Sequence, residues 1–197
     1  APINLYGATK LTSDKLFTNA NYFKGKKRCE FSVVRYGNVM GSRGSVIPLF
    51  LNQKKEKKIF TITDKNMTRF NITLEQSVNM VLFAVKNSFG SEILVPKIPS
   101  YKITDLAKSI APSCKTNIIG IRPGEKIHEE MISESESGSV FEFKNLYVIH
   151  SNNSIKKVSY PYLGKNKKIK TFRYSSGLNK KFLSVSELKK LINKNFI

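Results

Sequence analysis

Short β-branched or aromatic runs alternate with longer segments of helical period along most of the chain, and that alternation restricts it to an α/β fold. Residues 4–24 place Leu5, Ala8, Leu11, Leu16 and Ala20 along one helical stripe, and Gly25 follows as a stop. The run 30–37 reads as a strand, 45–56 as a helix, 59–63 as a strand and 74–87 as a strongly apolar helix. Beyond these, 92–96 predicts a strand, 103–110 a helix, 115–121 a strand, and 125–132 a short helix behind Pro123-Gly124. Strands and helices at this spacing imply a parallel sheet. The tail differs: 139–150 is strand-like, 151–181 is polar and Lys-rich, and 184–196 predicts a final helix. No linker or repeat divides the chain, so two domains would have to interweave.

Composition narrows the function classes. Hydrophobic residues make up 40 % of the 197, which excludes a disordered or fibrous chain. No apolar run approaches the roughly 20 residues of a membrane span, so no membrane association is expected. The 34 Lys and Arg against 14 Asp and Glu give a net charge of +20, but only six of the basic residues are Arg. Surfaces that read nucleic acid favour the planar fork of Arg. A solvated Lys-rich surface is therefore the reading preferred to a polyanion-binding module, and no nucleic-acid partner is expected. Cys29 and Cys114 lie far apart in no motif, which suits reduced thiols in a cytoplasmic protein.

Tyr6 and Lys10 stand four apart on the first predicted helix and share one face. An ammonium beside a phenol favours the phenolate, the form that works as a general base. Asn38 falls just past the end of the predicted strand 30–37, where open α/β sheets bind ligands. Gly41-Ser-Arg-Gly44 lacks the third Gly of a dinucleotide loop and the acidic residue that should follow it. Arg69 and Arg122 each lie after a strand and before a helix, where a guanidinium could clamp a diphosphate. His128 and His150 lack metal-ligand spacing, so no metal is expected. Glu129, Glu130, Glu134 and Glu136 read as a solvated helix end.

Four segments together carry a resemblance. Tyr6-Gly-Ala-Thr-Lys10, Arg35-Tyr-Gly-Asn-Val-Met-Gly-Ser-Arg-Gly-Ser-Val-Ile-Pro-Leu-Phe50, Met67-Thr-Arg-Phe-Asn-Ile-Thr-Leu-Glu75 and Ile121-Arg-Pro-Gly-Glu-Lys-Ile-His-Glu129 occur in this order. They resemble the extended short-chain dehydrogenase/reductase superfamily. Within it, they are similar to the inverting UDP-N-acetylglucosamine 4,6-dehydratases of the polysaccharide biosynthesis protein family, which open pseudaminic acid biosynthesis. The tail from Tyr174 to Glu187 is similar to that family's C-terminus. Tyr6, where the large membrane-anchored retaining enzymes usually carry Met, points to the small soluble branch.

The resemblance implies a Rossmann fold with an interleaved substrate domain. Residues 1–44 would be the second half of the dinucleotide-binding domain, and 45–197 mainly the nucleotide-sugar domain, with 74–87 and 92–96 returning to the first. It implies that the chain is the C-terminal three-fifths of such an enzyme, without turnover on its own, and a homo-oligomer when full length. NADP, or NAD, would be bound by Tyr6, Lys10, Tyr36, Gly37, Asn38 and Val39. Tyr6 and Lys10 would be catalytic. The UDP-sugar would meet Asn38, Ser45, Val46, Thr61, Arg69, Arg122 and Glu125, the last near the ribose. A UDP-hexose 4-epimerase would use the same Tyr6–Lys10 pair, because the Asp-Lys that drives dehydration lies upstream of Ala1 in the family.

Overall fold

The computed structural model describes residues 2–56, 58–150, 167–168 and 171–196. In chain order its elements are α1 (Leu5–Phe23), β1 (Val33–Val34), α2 (Val46–Lys55), β2 (Phe60–Ile62), β3 (Thr68–Phe70) and α3 (Leu74–Asn87). Then come β4 (Ile93–Pro96), β5 (Ser100–Lys102), α4 (Ile103–Ile110), β6 (Thr116–Ile118) and β7 (Glu130–Ile132). A 3-10 turn (Glu134–Ser139) leads to β8 (Val140–Glu142), β9 (Leu146–Ile149), β10 (Lys167–Lys168), β11 (Tyr174–Ser175) and α5 (Val185–Phe196). Most of the polar stretch 151–181 lies outside the described residues.

The chain forms two interleaved units. The first comprises Ala1–Tyr36, Glu75–Lys97 and Glu130–Tyr174; the second comprises Gly37–Leu74, Ile98–Glu129 and Ser175–Ile197. The segment 130–174 thus lies with the first unit.

In the first unit, five strands form one sheet in the order β1-β4-β9-β8-β10. Among the described residues of this sheet, only β1 and β4 pair in parallel, with Val33 opposite Ile93. The remaining pairs are antiparallel, with Ile93 opposite Ile149 and Val140 opposite Ile149 across their ladders. The expected parallel sheet is therefore corrected to a mixed one. The reason is local: β8 and β9 are joined by three residues closed by a Phe143 N–H to Leu146 carbonyl bond of 2.9 Å, and so short a connection can only reverse the chain. Every residue of β4 is buried, and Leu94, Phe141, Phe143, Leu146, Val148 and Ala84 form the core beneath α3. The first turn of α1 is set by Asn4, whose side-chain oxygen accepts the Gly7 N–H at 2.7 Å.

The second unit packs α2, α4 and α5 around Phe50, Phe60, Ile62, Met67, Leu106 and Leu188. The rings of Phe50 and Phe60 stack at 4.8 Å. Two short ladders flank this core: β2 with β6 in parallel, and β3 with β5 antiparallel. Pro48 is tolerated in the first turn of α2, where its missing N–H would have had no helical acceptor.

The helix expected over 125–132 does not form. The Ile127 carbonyl accepts from the Thr68 N–H at 3.0 Å, and the Glu129 carbonyl accepts from the Ser176 N–H at 2.8 Å. With those acceptors taken by distant backbone, the segment bends at 127–128 and enters β7 at Glu130.

Candidate functional site

On the first unit, Tyr6 and Lys10 occupy one face of the first turns of α1. The Lys10 ammonium lies 5.2 Å from the centroid of the Tyr6 ring, and Tyr6 is 72 % exposed. Among the described residues no carboxylate pairs with Lys10. A phenol hydroxyl and an uncommitted ammonium, exposed side by side, are a donor set that fits a ribose diol. Half-buried Tyr36 follows Arg35 beyond the end of β1. Arg35 is bound from three sides: Asp14 meets its Nη2 at 2.7 Å, Glu136 takes both terminal nitrogens at 3.0 and 3.1 Å, and the Met131 carbonyl accepts at 2.7 Å. This bidentate triad ties α1, β1 and the 3-10 turn together.

The second unit carries the other candidate residues. Gly37 is a packing position: a Cβ there would sit 2.6 Å from Cβ of Phe70. Gly37→Ala should therefore destabilise the protein by about 1–3 kcal/mol through overpacking, read as a lowered midpoint in denaturant unfolding. Val39 forms a bridge with Ile72, and the neighbouring Met40 N–H donates to the Ile72 carbonyl at 2.8 Å. Ser45 caps α2, and its hydroxyl is buried without a hydrogen-bond partner among the described residues. Val46 packs against the core. Thr61 is taken up by Gln53, whose amide donates to the Thr61 hydroxyl at 3.0 Å and accepts the Thr61 N–H at 3.3 Å.

Arg69 and Asn38 meet on Glu129, and Glu125, bonded to the backbone of Arg122, approaches Arg69 at its Nη2. In β3 the side chains of Thr68 and Phe70 are buried, so pleating turns Arg69 to the opposite face. Its Nη1 donates to the carbonyls of Thr68 and Ile127 at 2.8 and 3.1 Å. Its Nη2 faces Glu125 and its Nε faces Glu129, each at 3.7 Å. Glu129 also accepts the Phe70 N–H at 3.2 Å, and the Asn38 amide donates to the same carboxylate. Burial pushes the Glu129 carboxyl above the ordinary carboxylate range, against the opposing pull of Arg69, the Phe70 N–H and Lys126. Burial and the Glu129 charge likewise raise the Tyr101 hydroxyl, with Arg69 opposing.

The expected solvated helix end is thereby corrected. Glu129 is an internal counter-charge, and Glu136 is bound to Arg35. Glu129 is itself held by Ser176, whose hydroxyl accepts the Glu129 N–H at 2.9 Å and bonds the Thr68 hydroxyl at 2.7 Å. His128 completes that network through Thr68 at 2.8 Å. The signal available in the sequence was scarcity: with 14 acidic residues against 34 basic ones, Glu125 and Glu129, four apart and just after Arg122, are a local concentration of negative charge.

Glu125 and Arg122 close a turn. Pro123 and Gly124 hold its corner, Gly124 at φ +75° supplies the left-handed position, and the Glu125 N–H donates to the Arg122 carbonyl at 3.0 Å. In return the Arg122 N–H donates to the Glu125 carboxylate at 3.4 Å, while the Arg122 side chain stays exposed.

The chain is 51 % identical over 98 % of its length to a UDP-N-acetylglucosamine 4,6-dehydratase (inverting) of Campylobacter jejuni subsp. jejuni, and covers 60 % of that protein. It is 36 % identical to a UDP-glucose 4-epimerase of Rickettsia bellii over 97 % of this chain and 57 % of the other. The solved structure of Pen from Bacillus thuringiensis matches 98 % of the chain and 59 % of its own at a TM-score of 0.86 and 40 % identity. The chain thus spans about three-fifths of the length of the curated relatives it matches. The fold is the α/β Rossmann architecture of the extended short-chain dehydrogenases/reductases. No helix of the described residues is long and apolar enough to cross a membrane. A family model described as polysaccharide biosynthesis protein matches residues 1–151, and the chain belongs to that family.

Proposed function

We propose that this chain carries the base and the nucleotide-sugar-binding residues of an inverting UDP-N-acetylglucosamine 4,6-dehydratase. The observation that supports it most is the 51 % identity to the Campylobacter jejuni enzyme over 98 % of the chain. In this reading residues 1–44, with 74–87 and 92–96, belong to the dinucleotide-binding part, and 45–197 mainly to the part that holds the UDP-sugar. A nicotinamide dinucleotide, NADP or NAD, would supply a reversible oxidation at C4 of the sugar. Tyr6 takes the proton of the 4-hydroxyl. Lys10 would hold the nicotinamide ribose. Tyr36, Gly37, Asn38 and Val39 line the nicotinamide side.

On the second unit, Arg69, Arg122 and Asn38 hold the diphosphate, and Ser45, Val46 and Thr61 contact the rest of UDP. The unpartnered Ser45 hydroxyl supports a polar ligand there. Glu125 lies near the ribose. The enzyme works in the cytoplasm as a homo-oligomer, and its product enters pseudaminic acid biosynthesis.

Titration calorimetry with UDP on the 197-residue chain tests the binding half. Arg69→Ala and Arg122→Ala should each weaken UDP roughly 10- to 100-fold, the scale of one charge-assisted contact. UDP affinity that ignores both replacements would end the reading. Product analysis separates the epimerase alternative: the dehydratase yields a 4-keto-6-deoxy sugar, the epimerase a 4-epimer with its 6-hydroxyl intact.

A further inference from the structure

Arg69 has only 13 % of its side chain exposed, and all of its nitrogens face acceptors from the protein itself. A guanidinium so enclosed requires counter-charge. Two carboxylates supply it, and they differ in how firmly they are held. Glu129 is fixed by the Phe70 N–H and the Asn38 amide, and Ser176 bonds both its N–H and its carbonyl. Among the described residues Glu125 has only long contacts, 3.7 Å to Arg69 Nη2 and 3.4 Å from the Arg122 N–H, and it stands on a surface turn with 26 % of its side chain exposed. Those two donors take the two oxygens of one carboxylate, as they would take two oxygens of one phosphate.

We propose that Glu125 is a displaceable internal anion, which fills the phosphate subsite beside Arg69 when no nucleotide is bound and must swing aside for a phosphate to enter. The inference rests on the reading of Arg69 and Arg122 as the diphosphate clamp. Its consequence is specificity. A weakly bound anion cannot displace a carboxylate already tethered to the chain, whereas a ligand with further contacts can. Glu129 stays in place and keeps Arg69 oriented through the exchange.

Titration of the 197-residue chain with inorganic pyrophosphate, and separately with UDP, tests this at fixed ionic strength. Glu125→Gln and Glu125→Ala should both bind pyrophosphate tighter, by about 5-fold, the scale of one partly exposed ion pair. Pyrophosphate that binds both variants as the parent does, or more weakly, overturns the proposal, as does pyrophosphate binding undetectable in all three while UDP binds. The Gln variant can still accept the Arg122 N–H, so it keeps the turn if the Ala variant loosens it; equal thermal midpoints for parent and Gln variant check this. UDP that binds none of the three removes the clamp reading itself, and the inference with it, an outcome distinct from UDP binding with pyrophosphate unimproved.

Discussion

Tyr6→Phe should lower turnover about 10³-fold while leaving UDP affinity within a factor of two, because it removes one acid–base oxygen and nothing that touches the nucleotide. The assay calls for a polypeptide spanning the full length of the relatives, with formation of the 4-keto sugar as the readout. The geometry makes the exchange clean. Tyr6 is 72 % exposed and packs on no core residue, so losing its hydroxyl leaves no cavity and no buried group without a partner. Lys10→Met should lower turnover as well, since it removes the ammonium proposed to hold the nicotinamide ribose beside Tyr6. Rate and UDP affinity falling together in Tyr6→Phe would make Tyr6 a structural residue and refute the proposed chemistry.

Arg35→Ala should destabilise the first unit by about 3 kcal/mol, because it leaves two largely buried carboxylates without their cation. Asp14 and Glu136 are each less than a fifth exposed, and both bind the same guanidinium. Arg35→Lys keeps the charge but cannot span two carboxylates and the Met131 carbonyl at once, so an intermediate loss is expected. Hydrogen exchange of the β1 and β4 amides reports this unit directly; unchanged protection in Arg35→Ala would show the triad to be ornamental.

The same triad sets an acid sensitivity. Burial alone would raise the Glu136 carboxyl, but hydrogen bonds and charge from Arg35, with the Ser133 groups, outweigh it and hold it below the ordinary range. A carboxyl lowered in the fold adds stability above its unfolded pKa of about 4.3, and this is lost as pH falls through the folded value. Glu129 has the opposite sign. Its folded value is raised, so the charge is a cost at neutral pH that is relieved as pH drops through that higher value. Acidification should thus first ease the second unit and only below the ordinary carboxylate range loosen the first. In Arg35→Ala the Glu136 part of that acid loss should vanish.

Local patterns were readable where a residue's neighbours in sequence are also its neighbours in space. The helices 74–87 and 103–110 form over those residues, and 184–196 differs by one, because each carries its apolar stripe within itself. The Tyr6–Lys10 pairing is of the same kind, being one helical turn. β3 and β5 were missed because three residues apiece hold no period; what makes them strands is the ladder between Thr68–Phe70 and Ser100–Lys102, some thirty positions apart.

By itself, then, the sequence determined the α/β class, the helices 74–87, 103–110 and 184–196, and the one-turn spacing of Tyr6 and Lys10, since spacing along one helix settles them. Tertiary structure alone decided that the sheet is mixed, that 125–132 forms no helix, and that Glu129 is a buried counter-charge rather than a solvated end. The physical reason is distance along the chain. The partners of Glu129 are Asn38, Arg69, Phe70 and Ser176, and only folding brings their donors onto one carboxylate.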